Sequence, residues 1–163
     1  MVEREVISIP NGCHACEVEV DPKTGTVKVI NYWVVDDFGT IINSLLTDGQ
    51  VMGGVAQGIG QALLEEAVYD KTGQLITGSL IDYALPRAED IPNMKIKYYQ
   101  DKPTKKNPLG VKGAGEAGCV AAPQVIFNAV INALKDYDTK NLDMPLTSEK
   151  IWRTINSFVK ASD

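Results

Sequence analysis

Apolar and polar residues alternate from Glu17 to Val20, with Val18 and Val20 facing one way and Glu17 and Glu19 the other. That two-residue period predicts a half-buried strand. Asp21-Pro22-Lys23-Thr24-Gly25 follows, where Pro fixes one φ and Gly admits a positive one, as a tight turn requires. Thr26 to Val35 is again rich in β-branched and aromatic residues, so the two runs predict an antiparallel hairpin. Asp36-Asp37-Phe38-Gly39 breaks the second strand. A helix is expected to start after Ile42-Asn43-Ser44 and to continue from Asp48 to Val68. Leu75 to Leu80 and Lys95 to Gln100 read as short strands, separated by an irregular connection, Tyr83 to Pro92.

A second irregular connection, Lys102 to Gly115, contains Pro103, Pro108 and three glycines. It leads into a helix predicted from Pro123 to Leu134, with Pro123 in the first turn. Val125, Ile126, Ala129, Val130, Ala133 and Leu134 form its apolar stripe. A last helix is expected to be capped by Thr147, with Ile151, Trp152, Ile155, Phe158 and Val159 buried. The order hairpin, helix, strands, helices predicts an α+β fold, a small mixed sheet with an antiparallel hairpin packed against three helices. Residues 1–163 are expected to form one domain.

The first helix has an unusual feature. Glycines at 49, 53, 54, 58 and 60 each cost on the order of 1 kcal/mol relative to Ala. Gly49/Gly53 and Gly54/Gly58 are i,i+4 pairs, which stack on one surface. Such a surface permits close approach by another helix or by a ligand, and the pattern alone leaves both open.

Composition narrows the function classes. The charge is 16 − 21 = −5, with no basic cluster beyond the lysines of Lys102 to Lys106, read as a solvated loop. Nucleic acid is therefore not the expected partner. No apolar run is long enough to span a bilayer, and Met1-Val2-Glu3-Arg4-Glu5 lacks the apolar stretch of a signal peptide. The expected location is the cytoplasm. Three cysteines, Cys13, Cys16 and Cys119, do not make a disulfide framework. Cys13-His14-Ala15-Cys16 lacks a fourth metal ligand, because His14 is the only histidine, so ordinary packing cysteines are the favoured reading. No residue is assigned as a metal ligand.

Gly110-Val111-Lys112-Gly113-Ala114-Gly115-Glu116-Ala117-Gly118 is the one segment built for chemistry. Its glycines let the backbone approach a bulky partner, and a carboxylate follows at once. It is neither a P-loop nor a dinucleotide fingerprint. Taken alone, the spacing favours a surface loop with a solvated Glu116. The adjacent carboxylates Asp36/Asp37 and Glu65/Glu66 suggest no paired acid–base machinery, and the glutamates are expected on an exposed helix turn.

Several stretches in order nonetheless resemble a known family. They include Val35-Asp36-Asp37-Phe38-Gly39, Gly49-Gln50-Val51-Met52-Gly53-Gly54-Val55-Ala56-Gln57-Gly58, Asp82-Tyr83-Ala84-Leu85-Pro86, Asn107-Pro108-Leu109-Gly110 through Glu116, and Leu142-Asp143-Met144-Pro145-Leu146-Thr147. Together they resemble the C-terminal part of the large, molybdopterin-binding subunit of the molybdenum hydroxylases, the xanthine oxidase, aldehyde oxidase and carbon monoxide dehydrogenase family. The resemblance implies that Glu116 is the general base at the molybdenum, a role a carboxylate can fill. It implies that Gln57 lies near the metal and pterin, and that Gly58, Lys112, Gly113, Ala114 and Gly115 line the cofactor. The Asp37-Phe38-Gly39 loop would approach a cytosine-dinucleotide tail, with Phe38 where relatives often carry a small residue or Cys.

The implied cofactor is molybdopterin, or its cytosine dinucleotide, in an assembled enzyme that carries iron–sulfur clusters and FAD on other chains. Implied partners are a chain supplying the N-terminal part of the large subunit and the iron–sulfur and flavin subunits. The implied reaction oxidises an aldehyde, an N-heterocycle or carbon monoxide with water-derived oxygen. An alternative reading is an inactive stand-alone module for assembly, with its apolar helices as partner interfaces or self-association surfaces.

Overall fold

The computed structural model describes residues 8–160, and side chains up to residue 157. Met1 to Glu5 and the side chains of Phe158 and Val159 lie outside the described residues. Among the described residues three strands and three α-helices make an α+β fold, as expected. Strand β1 (Asn11–Val20) pairs antiparallel with β2 (Val27–Asp37), and β3 (Asn93–Tyr98) pairs parallel with β2. The hairpin turn closes through Gly25 N–H to Asp21 O at 2.8 Å, with Gly25 at φ 73°. A bulge at Glu17/Val18 absorbs Ile30, so each strand keeps one face inward throughout. His14, Cys16, Val18 and Val20 alternate with the exposed Cys13, Ala15, Glu17 and Glu19. Cys16 thus packs, as expected, whereas Cys13 is exposed, because residues three apart on a strand face opposite ways.

Helix α1 (Ser44–Leu63) is capped by Asn43, whose Oδ1 accepts the Leu46 N–H at 3.1 Å. It stops five residues short of the expected Val68. Beyond Leu63 the chain is captured by side contacts: Tyr83 donates its hydroxyl to Glu65 Oε2 at 2.7 Å, and the Ala62 carbonyl accepts the Leu146 N–H at 2.7 Å. Glu65 is thus held rather than solvated. The strand expected at Leu75 to Leu80 does not form; Leu75 makes only an isolated bridge with Tyr69.

Helix α2 (Ala117–Ala133) begins six residues before the expected Pro123, which lies inside it. An interior proline removes one helical hydrogen bond. Here tertiary packing outweighs that loss, with Pro123 buried against Gly58 of α1. Of the predicted stripe, Ile126, Val130 and Leu134 are buried, while Ala133 is exposed. Helix α3 (Ser148–Lys160) follows Thr147, whose Oγ1 lies 3.4 Å from the Lys150 N–H. It buries Ile151 and Ile155, but Trp152 is 44% exposed, lying across the Gly25 turn.

Helix α2 packs on the inner face of the sheet, and α1 packs on α2. Tyr32, Val34, Val51, Val55, Ile59, Ala122, Ile126 and Leu146 belong to one continuous core. The paired α1 glycines do not share one environment. Gly54 meets the backbone of Gly118 and Cys119, and Gly58 meets Ala122 and Pro123, so these two serve helix packing. Gly49 and Gly53 have nothing within 4 Å of a would-be Cβ and leave an open face.

Candidate functional site

The Gly-rich segment is held in place at both ends. Gly39 (φ 63°) and Gly110 (φ 70°) let two chains meet, with Thr40 N–H to Gly110 O at 3.1 Å and Lys112 N–H to Phe38 O at 2.8 Å. Asn107 spans its own turn, giving its amide to Val111 O at 2.8 Å and accepting the Val111 N–H at 3.2 Å. Lys112 Nζ sits 2.6 Å from Asp37 Oδ2, and both side chains are largely buried. Burial works to raise the Asp37 carboxyl, but the Lys112 ammonium and the Gly39 N–H outweigh it and hold it below the usual carboxylate range. Lys112 therefore anchors the loop. Phe38 is buried in the core and turns no side chain to the surface.

From this anchorage the chain runs outward. Gly113 and Gly115 are exposed, and Gly115 has nothing within 4 Å of a would-be Cβ. Gln50 on α1 donates its amide to the Gly115 carbonyl at 2.5 Å. Glu116 then occupies the N-cap position of α2, exposed, with its side chain making no capping bond. A carboxylate there lies at the positive end of the helix dipole. Gln57 is exposed on α1, one turn beyond Gly53 on the open face.

A cleft of about 460 Å³ opens beside Glu116. It lies between the loop of Gly113 to Ala117, the start of α2, and the first residues of β1. The structure thus brings Gly113, Ala114, Gly115 and Glu116 together, while Gln57, Gly58 and Lys112 lie outside this cleft. The cleft also contains two residues that sequence reasoning did not assign, His14 and Asp36. His14 Nδ1 is 3.0 Å from the Tyr32 hydroxyl, and its Nε2 is 3.3 Å from Asp36 Oδ1. With Asp36 as a carboxylate, Nε2 carries the hydrogen. Burial raises the Tyr32 hydroxyl well above its ordinary range, so it remains protonated. The signal was present in the alternation, which puts Gly12, His14 and Asp36 on one inward face, but the cross-strand register that unites them was not.

Among the described residues no group of three or more His, Cys, Asp or Glu side chains is arranged to hold a metal ion. None of the described helices is long and apolar enough to cross a membrane. What the arrangement provides is an exposed carboxylate on a side-chain-free cradle, next to a largely apolar cleft. Such a loop leaves room for a bulky group beside the carboxylate.

Comparison with known proteins identifies the family. A family model described as a molybdopterin cofactor-binding domain matches residues 3–92. The nicotine 6-hydroxylase large subunit of Paenarthrobacter nicotinovorans is 41% identical over 91% of this chain, which spans 18% of that protein. The carbon monoxide dehydrogenase large chain of Hydrogenophaga pseudoflava is 33% identical over 90% of the chain, again 18% of its length. The crystal structure of quinoline 2-oxidoreductase from Pseudomonas putida 86 superposes with a TM-score of 0.84 at 40% identity, covering 90% of this chain and 19% of that one. The chain, spanning about a fifth of the length of these relatives, belongs to the molybdopterin cofactor-binding domain family of the molybdenum hydroxylases.

Proposed function

We propose that this chain forms part of the molybdenum site of a molybdenum hydroxylase and supplies its general base, Glu116. The observation that carries the reading is the exposed Glu116 carboxylate at the start of α2, following glycines that leave room for a bulky group. Gly113, Ala114 and Gly115 would line the cofactor through their backbone, and Gln57 would offer its amide from the open face of α1, beside Gly53 and near the packed Gly58. Lys112 contributes by holding the loop through Asp37. The molybdenum cofactor, as molybdopterin or its cytosine dinucleotide, supplies the two-electron acceptor for oxidation of a substrate carbon.

The chemistry left to the protein is proton transfer. Glu116 takes a proton at a carboxylate oxygen as the reaction proceeds and later releases it to solvent, since its side chain is exposed. A second polypeptide segment must complete the enclosure, because this chain alone leaves the cleft open. Exposed Ile9, Ile42, Leu45, Leu46, Leu109 and Val120 give such a segment an apolar surface to cover. Iron–sulfur and FAD centres on further chains would carry the electrons away, in the cytoplasm. An aldehyde, an N-heterocycle or carbon monoxide are the substrate classes in keeping with the relatives.

The test is Glu116→Gln in the enzyme purified with its partner chains. The substitution keeps shape and removes the base, so turnover should fall at least about 100-fold while molybdenum content is retained. Turnover within a few-fold of wild type, at equal molybdenum, would show that Glu116 is not the base. A chain that recruits neither molybdenum nor partners would favour the stand-alone module instead.

A further inference from the structure

The peptide that carries Glu116 is tied to the helices by a side chain that the function proposed above leaves unused. Gln50 Nε2 lies 2.5 Å from the Gly115 carbonyl oxygen, although the two residues are 65 positions apart in sequence. The Gly115 carbonyl and the Glu116 N–H share one peptide plane. Fixing the carbonyl therefore fixes the direction in which the Glu116 Cα, and the carboxylate it bears, leave the loop. Among the described residues, no other group outside the loop bonds that peptide.

The loop needs such a tie. Gly115 has nothing within 4 Å of a would-be Cβ, so no neighbour confines it sterically. Glycine also has the widest backbone freedom of any residue. Glu116 makes no capping bond through its own side chain. The Asp37–Lys112 anchor lies three residues upstream of Gly115, with Gly113 between them. Two glycines after that anchor leave the carboxylate free to take many positions unless something beyond them holds the chain.

Gln50 is mounted on a fixed support. Two residues earlier on α1, Asp48 Oδ1 accepts the Tyr98 hydroxyl of β3 at 2.7 Å, which ties this part of the helix to the sheet. One residue later, the Val51 carbonyl sits where a Cβ on Gly118 would be, so the first turn of α2 is pressed onto α1 at the same level. The close crossing brings the Gly115 carbonyl within reach of the Gln50 amide. Gln50 itself is exposed, so its bond contributes little to the core.

We infer that Gln50 is the positioning residue for Glu116: its amide N–H, held on α1, locks the Gly115–Glu116 peptide and so fixes where the carboxylate stands. The consequence for turnover rests on the function proposed above. The locking of the peptide does not.

The first measurement is nitrogen-15 relaxation on the labelled 163-residue chain. Wild-type order parameters at Gly115 and Glu116 should be about 0.85, as for rigid backbone. Gln50→Met matches the helix propensity but has no donor, and should bring both below about 0.6 while the helix interiors and the urea midpoint stay as in wild type. Gln50→Lys keeps a donor of similar reach and should restore the rigidity. Mobile Gly115 and Glu116 amides in wild type, which need no variant to detect, would overturn the inference. So would a Gln50→Met chain as rigid there as wild type, or failure of Gln50→Lys to restore what Gln50→Met loosens.

The second measurement uses the enzyme purified with its partner chains and whichever of nicotine, quinoline or benzaldehyde it oxidises. Gln50→Met should lower kcat per molybdenum at least about 10-fold at unchanged KM and molybdenum content, because a displaced base costs rate and not binding. In a Glu116→Gln background it should cost nothing further, since it acts through that carboxylate. A kcat within about twofold of wild type, or an equal loss in both backgrounds, would refute the positioning role with the base assignment still standing. Glu116→Gln with wild-type turnover would remove the base assignment instead, and the relaxation data would still decide whether Gln50 locks the peptide.

Discussion

Replacing Gly53 and Gly54 by alanine, one at a time, tests how the two central helices meet. Both glycines lie inside the same 20-residue helix, α1. Each alanine therefore gains about 0.8–1 kcal/mol of helix propensity. At Gly53 nothing lies within 4 Å of the new Cβ, so the gain is kept. At Gly54 the Cβ would stand 2.9 Å from Cys119 N and 2.9 Å from Gly118 Cα. These are backbone atoms of α2 and cannot rotate aside. Gly118 in turn fits against Val51 and Val55, so relief requires the helices to move apart along the whole contact. Overpacking of this kind costs about 1–3 kcal/mol, which exceeds the propensity gain and leaves Gly54→Ala destabilised by about 1 kcal/mol. The two variants should then differ by about 2 kcal/mol, or about 1 M in urea midpoint for a slope near 2 kcal/mol/M. Urea unfolding followed by far-UV circular dichroism measures this directly. If Gly54→Ala unfolds at the same or higher urea than Gly53→Ala, with unchanged slope, the close helix crossing is wrong.

Two further outcomes follow from the electrostatics. Asp37 has a folded-state carboxyl held below its usual range, so its stabilising effect is fully present above the unfolded value near 4 and is lost as pH falls through the folded one. Asp37→Asn should lower stability at pH 7 by about 2 kcal/mol and flatten the acid side of the stability profile, as read by thermal unfolding between about pH 2 and 6. An acid limb as steep as wild type would show that the Lys112 pair does not anchor the loop. Among the cysteines, burial pushes the Cys16 thiol up to about 11, while Cys13 is exposed on the outer face of β1. Iodoacetamide at pH 8 followed by peptide mass spectrometry should show Cys13 modified at least about 10-fold faster than Cys16, and equal rates would contradict the strand register.

Much of this molecule was legible in one dimension. The period of two in β1 and β2 and the Pro-Lys-Thr-Gly turn are local signals, because a strand's facing and a turn's φ depend on a few consecutive residues. The Asn43 start of α1 and the Thr147 start of α3 are local for the same reason. The resemblance also pointed to Glu116, and the structure presents that residue on an anchored loop at a helix start. Other features depended on distant neighbours. Leu75 to Leu80 has strand composition but makes only an isolated bridge, at Leu75 with Tyr69. Pro123 looked like a helix start, yet packing against Gly58 keeps the helix running through it. Lys112 pairs with Asp37, a partner that only the fold brings beside its ammonium. Gly54 and Gly49 are indistinguishable by spacing, and only the position of α2 makes one a packing surface and the other an open face. The Gly12, His14 and Asp36 cluster is of the same kind: alternation turns each residue inward, but cross-strand register is a tertiary quantity, and only it brings a buried carboxylate to the floor of the cleft beside Glu116.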